Sequence, residues 1–92
     1  MNKRWELVDV ANEMWDLIFY PYYDDEIVAT IYRDDEGDWC CTSKLLKMKE
    51  DYVDYDYVEC DEIKDYISDR IKEFYIDEIN SYKELLELFE EE

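Results

Sequence analysis

Carboxylates are the one chemically active group that this 92-residue sequence supplies in quantity: 28 Asp and Glu stand against 10 Lys and Arg, for a net charge of −18. Their spacing forms two patterns. Asp34, Asp35, Glu36 and Asp38 crowd around the chain's only glycine, Gly37, and Asp54 and Asp56 follow at the i, i+2 spacing that puts both on one face of a strand. Asp61, Asp65, Asp69, Glu73 and Asp77 then recur every four residues, which on a helix stacks acids ~6 Å apart along one ridge. Like charges at this spacing cost a helix ~0.2–0.5 kcal/mol each, so helix formation alone does not favour the ladder. Lys64, Arg70 and Lys72 are placed to relieve it, through contacts such as Asp69 with Lys72 and Arg70 with Glu73. Tyr55 and Tyr57 alternate with the strand acids, and carboxylates beside tyrosines suit Arg, which pairs with acids and stacks on rings. The chemistry that fits these groups is recognition of a cationic surface.

Catalytic and cofactor chemistry finds no support. The chain has no histidine, the commonest general base and metal ligand, and no glycine-rich phosphate loop. Cys40, Cys41 and Cys60 lack a C-x₂-C pair and are odd in number, which reads as free, buried thiols in a reducing compartment. The acidic clusters do not match an EF-hand loop. The expectation is therefore a protein that is not an enzyme, with no cofactor and no metal. Its charge opposes direct binding to nucleic acid. No apolar run approaches the ~20 residues needed to span a bilayer, and the N-terminal residues show no signal-peptide pattern. The sequence predicts a cytoplasmic protein without membrane contact.

The charge has a physical scale. A compact chain of this length has a radius of gyration of ~12 Å and a diameter of ~30 Å, and 30 Å of duplex DNA carries ~18 phosphates. Solubility alone needs a net charge of only ~2–8. The distribution is uneven: residues 1–23 sum to −2, residues 24–62 to −10 and residues 63–92 to −6.

The elements that must position these groups are predicted as follows. Leu7, Ala11, Met14 and Ile18 recur at helical spacing over 3–19, with Asn2 as N-cap and Pro21 as the stop. Residues 27–33 and 39–45 read as a β-hairpin whose loop, 34–38, uses Gly37 at a positive φ. Residues 52–60 alternate as a third strand. Ile63, Ile67, Ile71 and Phe74 mark a helix with Asp61 as N-cap. Asn80-Ser81 then interrupts it, and Ser81 with Glu84 fits the capping box of a second, short amphipathic helix carrying Ile79, Tyr82, Leu86 and Phe89. The expectation is a single α+β domain over 1–92, in the order α-β-β-β-α-α, with a three-stranded antiparallel sheet packed by helices.

With that order, and with the acidic hairpin running from Glu26-Ile27-Val28-Ala29-Thr30-Ile31-Tyr32-Arg33 through Asp34-Asp35-Glu36-Gly37-Asp38 to Trp39, the chain resembles the small acidic phage or mobile-element anti-CRISPR proteins. The nearest analogy is to those that occupy the DNA-binding groove of Cas9. The likeness is one of element order over most of the chain, not a residue motif. It implies a stoichiometric inhibitor that mimics nucleic-acid phosphates toward a basic nucleic-acid-binding protein, a bacterial defence nuclease. Its contacts would be Asp34, Asp35, Glu36, Asp38, Asp54, Asp56, the 61–77 ladder, Tyr55 and Tyr57. Two other readings fit the same acidity: an immunity protein or antitoxin neutralising a basic toxin nuclease, and a non-inhibitory acidic adaptor or structural phage protein.

Overall fold

The structure, a computed structural model, describes residues 2–20, 24–53 and 59–91. Five strands, β1 (Lys3–Asp9), β2 (Met14–Phe19), β3 (Glu26–Arg33), β4 (Trp39–Ser43) and β5 (Met48–Tyr52), precede one helix, α1 (Cys60–Glu90). The strands form a single antiparallel sheet in sequence order, β1-β2-β3-β4-β5.

This corrects the expected α-β-β-β-α-α order and three-stranded sheet. The predicted helix over 3–19 is the β1–β2 hairpin. Trp5, Leu7, Trp15, Leu17 and Phe19 satisfy a period of two, and the tight turn between the strands is built by Asp9. Its carboxylate accepts hydrogen bonds from the Ala11 backbone N–H (3.0 Å) and Asn12 Nδ2 (3.1 Å), while Glu13 takes φ 47°. Asn2 caps no helix; its carbonyl accepts the Tyr20 N–H at 2.8 Å and closes the hairpin. The predicted strand over 52–60 is also displaced: Tyr52 ends β5 and Cys60 begins α1, with 54–58 outside the described residues. β5 itself is a short, polar edge strand that bends where Glu50 takes φ 53°. The predicted hairpin over 27–45 is present as β3 and β4, and Gly37 sits at φ 85° in its loop.

The core lies between one sheet face and the first half of α1. Leu17, Val28, Ala29, Ile31, Trp39, Cys41 and Val53 meet Ile63, Ile67 and Ile71. Register shifts interrupt three of the four strand pairs. At one of them Leu17 faces Ala29 while Ile18 faces Ile27, so Val28 is an extra residue and β3 buries both Val28 and Ala29. Such bulges sharpen strand twist, which wraps the sheet around the helix. Ser43, the buried polar residue of the core, donates to the Val28 carbonyl at 2.7 Å.

α1 is one continuous helix of 31 residues, ~46 Å long. The expected break at Asn80-Ser81 does not occur. Asn and Ser each cost a helix interior less than ~0.7 kcal/mol, too little to divide a helix already nucleated on the sheet. Its N-cap is Glu59, with Asp61 and Glu62 in the first turn. From Ile76 onward every described residue is exposed, so the second half of α1 projects beyond the sheet. The chain therefore measures 58 × 30 × 19 Å with a radius of gyration of 15.9 Å, longer than the compact estimate of ~12 Å.

Two outcomes follow. Ile67 is fully buried, and Ile67→Ala is expected to lower the unfolding free energy by about 2–5 kcal/mol in urea titrations. A loss well under about 1 kcal/mol would mean that the helix is not seated on the sheet. Burial pushes the Cys41 thiol up from 9.0 to about 12. A folded-state value above the unfolded one gives stability that is complete below the unfolded value and lost as pH rises through the folded value. The native chain should thus lose stability from pH 9.0 toward about 12, more steeply than Cys41→Ala in parallel urea titrations. Equal slopes would contradict this.

Candidate acidic interface

The loop between β3 and β4 is organised by Asp34. Its backbone N–H donates to the Asp38 carbonyl (2.9 Å), and its carbonyl accepts the Gly37 N–H (3.0 Å). Asp34 Oδ1 accepts the backbone N–H groups of both Glu36 and Asp38, each at 2.9 Å, and the Arg33 guanidinium donates to the Gly37 carbonyl at 2.9 Å. The result brings one carboxylate oxygen from each of Asp34, Glu36 and Asp38 within 4.8 Å of the others. Asp35 and Glu36 are exposed, while Asp34 and Asp38 are half-buried. Three carboxylates this close present a site for a cation, whether an ammonium, a guanidinium or a metal ion, although Asp34 Oδ1 already serves two backbone donors.

Tyr52, at the end of the edge strand, stands in the field of this loop. The carboxylates of Asp34 and Glu36 raise its hydroxyl pKa above the ordinary value, with burial and Asp38 adding to the effect. Its ring is largely exposed, which places an aromatic face beside converging acids. Among the tyrosines in the sequence, Tyr52 carries no motif of its own; only the strand pairing of Cys40 with Tyr52 sets it next to the loop. Tyr55, Tyr57, Asp54 and Asp56 lie outside the described residues.

Asp61, Asp65, Asp69, Glu73 and Asp77 are all exposed on α1, turned away from the buried stripe of Ile63, Ile67 and Ile71. Because residues four apart drift ~40° around a helix with 3.6 residues per turn, the ladder winds around the outer side over ~24 Å rather than forming a straight ridge. The expected relief by neighbouring cations is not seen. Lys64 lies over the Trp15 ring, its Nζ 3.3 Å from the centroid, and Arg70 donates to the Tyr66 hydroxyl at 3.1 Å. Among the described residues the ion pairs are Arg4–Glu6, Arg4–Asp25 and Arg33–Glu13, and none involves a loop or ladder carboxylate. Arg33 and Arg4 also stack on rings, at 4.4 Å from Trp39 and 5.3 Å from Tyr20. Aromatic side chains thus hold four of the ten cations, Arg4, Arg33, Lys64 and Arg70, against the body of the protein, and among the described residues no loop or ladder carboxylate forms an ion pair.

Loop and ladder adjoin at one end of the molecule. The charges of Glu13 and Arg33, at the loop end of the sheet, reach Cys60 at the start of α1. From there the ladder leads away, and Asp77 ends beside Leu45, Leu46 and Lys47 of the β4–β5 turn. The acids therefore form a band that turns from the end of the sheet onto the back of the helix, not one flat face. Averaged along the 58 Å axis, duplex DNA would carry ~34 phosphates, about twice the chain's net charge. Among the described residues the closest convergence of carboxylates is in the Asp34–Asp38 loop.

No helix among the described residues is long and apolar enough to cross a membrane. Compared with models of protein families, with curated proteins and with solved structures, the chain matches none.

Unpaired outward acids repel one another, and the Debye length shortens from ~30 Å at 0.01 M salt to ~8 Å at 0.15 M. The melting temperature of the isolated chain at neutral pH is expected to rise over that range. A fall would mean that the surface is held by ion pairs that salt weakens.

Proposed function

We propose that this chain is a stoichiometric protein inhibitor that presents its acidic loop and helix band to the nucleic-acid groove of a basic protein, a bacterial defence nuclease such as Cas9, in the bacterial cytoplasm. One observation carries the reading. The converging carboxylates of Asp34, Glu36 and Asp38, with the ladder Asp61–Asp77, have no ion-pair partners among the described residues, although ten cations are available in the chain. A surface selected only for solubility would tolerate interspersed charges of both signs. A surface whose loop and ladder acids form no ion pairs, while four of the chain's cations lie on aromatic rings, attracts external Lys and Arg instead. Long-range attraction from such a surface accelerates encounter with a basic groove and is strongly screened by salt.

The element order that suggested a likeness to Cas9 inhibitors is not the order of this fold. The proposal rests on the charge arrangement, and the target class is an inference from the chemistry of the band.

The test is retention of bacterial proteins on the immobilised chain, eluted in a salt gradient, followed by competition with duplex DNA for the retained protein. A nucleic-acid-binding protein that elutes with salt and is displaced from DNA at one-to-one stoichiometry is expected. The variant Glu36→Gln/Asp38→Asn/Asp65→Asn/Asp69→Asn should bind it at least about tenfold more weakly. Retention indifferent to salt, or a partner whose DNA binding is unaffected, would remove the phosphate-mimic reading.

A further inference from the structure

The second half of α1 carries an exposed apolar seam that no described residue covers. Tyr75, Ile79, Tyr82, Leu86 and Phe89 follow one another at intervals of four, three, four and three, the spacing that keeps side chains on one line of a helix contacting a partner. Tyr75, the first, packs on Phe19 with ring centroids 5.9 Å apart. The next four continue the same line past the edge of the sheet, with exposures of 54% at Ile79, 67% at Tyr82, 55% at Leu86 and 84% at Phe89. Leu85, at 59%, lies beside them. The stripe that docks the helix on the sheet thus runs on for about four more turns into solvent.

The charges around the seam select its occupant. The stretch 77–91 carries six acids, of which Glu78 and Glu90 flank the seam while Asp77, Glu84 and Glu91 lie on the opposite face of a helix with 3.6 residues per turn, and Lys83 is its sole cation. The last turn holds no basic residue, so acids sit at the end where the helix dipole is already negative and where a cation would be stabilising. A second copy would bring the same excess of acids against itself on a chain of charge −18. The seam is also only about two heptads long, short of the three to four that sustain a coiled coil. An anionic membrane surface is opposed by the same charges, since helices that lie on membranes carry Lys and Arg on the polar face.

We propose that the second half of α1 is a helix-in-groove docking element for a protein whose apolar groove is rimmed by Lys and Arg. Ile79, Tyr82, Leu86 and Phe89 enter the groove as anchors, the arrangement by which amphipathic helices bind at i, i+3 and i+4 positions. Glu78 and Glu90 meet the rim, and partner cations at the helix end also meet its unpaired carbonyls. This element stands independently of the phosphate-mimic reading, because its anchors are apolar residues outside the loop and the ladder.

The experiment uses the full chain and two designed helical hairpins as probes, identical in their Leu-lined groove and rimmed with Lys in one and Glu in the other. Amide chemical shifts in the labelled chain report the contact. The Lys-rimmed hairpin is expected to bind, with shifts concentrated over Ile79–Glu90, at least about tenfold more tightly than the Glu-rimmed one. Leu86→Ser/Phe89→Ser keeps every charge and touches no core residue, so its melting temperature should be unchanged while its affinity falls at least about tenfold. Binding that survives in this variant would show that charge alone attracts the probe and would overturn the proposal. No binding of the Lys-rimmed hairpin, or equal binding of both, would do the same. A dimer in sedimentation velocity that the variant dissociates would assign the seam to a second copy and contradict the groove.

Discussion

Everything outward on this protein depends on one inward contact, the seating of Ile63, Ile67 and Ile71 on a single face of the sheet. All three belong to one buried cluster with residues of β2, β3 and β4, and burying such a side chain contributes roughly 1.5–3 kcal/mol. The contact fixes the rotation of α1, and rotation decides the rest. With the isoleucines inward, Asp61, Asp65, Asp69, Glu73 and Asp77 must wind around the outside. With α1 seated near its N-terminal end, its remaining turns must overhang.

The electrostatics follow from the same geometry. A sheet covered on one side by one helix offers a limited interior, and the aromatic side chains at its margins take up cations. Lys64 on Trp15 and Arg33 on Trp39 gain cation–π attraction worth roughly 0.5–2 kcal/mol, comparable to or larger than an exposed ion pair at roughly 0–1 kcal/mol. These cations therefore lie on the body while the ladder carboxylates stay in water. The molecule is polarised by packing as much as by composition.

The sequence was legible where its pattern admitted one interpretation. Residues 26–43 show alternation, a glycine in the loop and β-branched residues, and the β3–β4 hairpin lies there. Leu7, Ala11, Met14 and Ile18 fitted a helix, yet the same stretch satisfies a period of two once a turn is placed at Asp9–Glu13. That turn uses Asp9 hydrogen bonds and a positive φ at Glu13 instead of glycine, so no local signal marked it. β5 is mostly Lys, Glu and Asp and is held by pairing with β4, which only tertiary structure reveals. Asn80-Ser81 looked like a boundary, but the helix is long enough to cross it. For the site, the ladder's helical spacing and the Asp34–Asp38 loop could be read in advance. The convergence of three carboxylates, the loss of neighbouring counter-cations to aromatic rings and the position of Tyr52 required the fold.

The most direct test of the account is a titration of the labelled chain with a short oligoarginine peptide, following side-chain carboxyl shifts. The account predicts that Glu36, Asp38, Asp61, Asp65, Asp69 and Glu73 respond first and together, while the ion-paired Glu6, Glu13 and Asp25 respond only at higher peptide concentration. Uniform response across all carboxylates would contradict it, because the charge would then be a diffuse coat rather than a directed band.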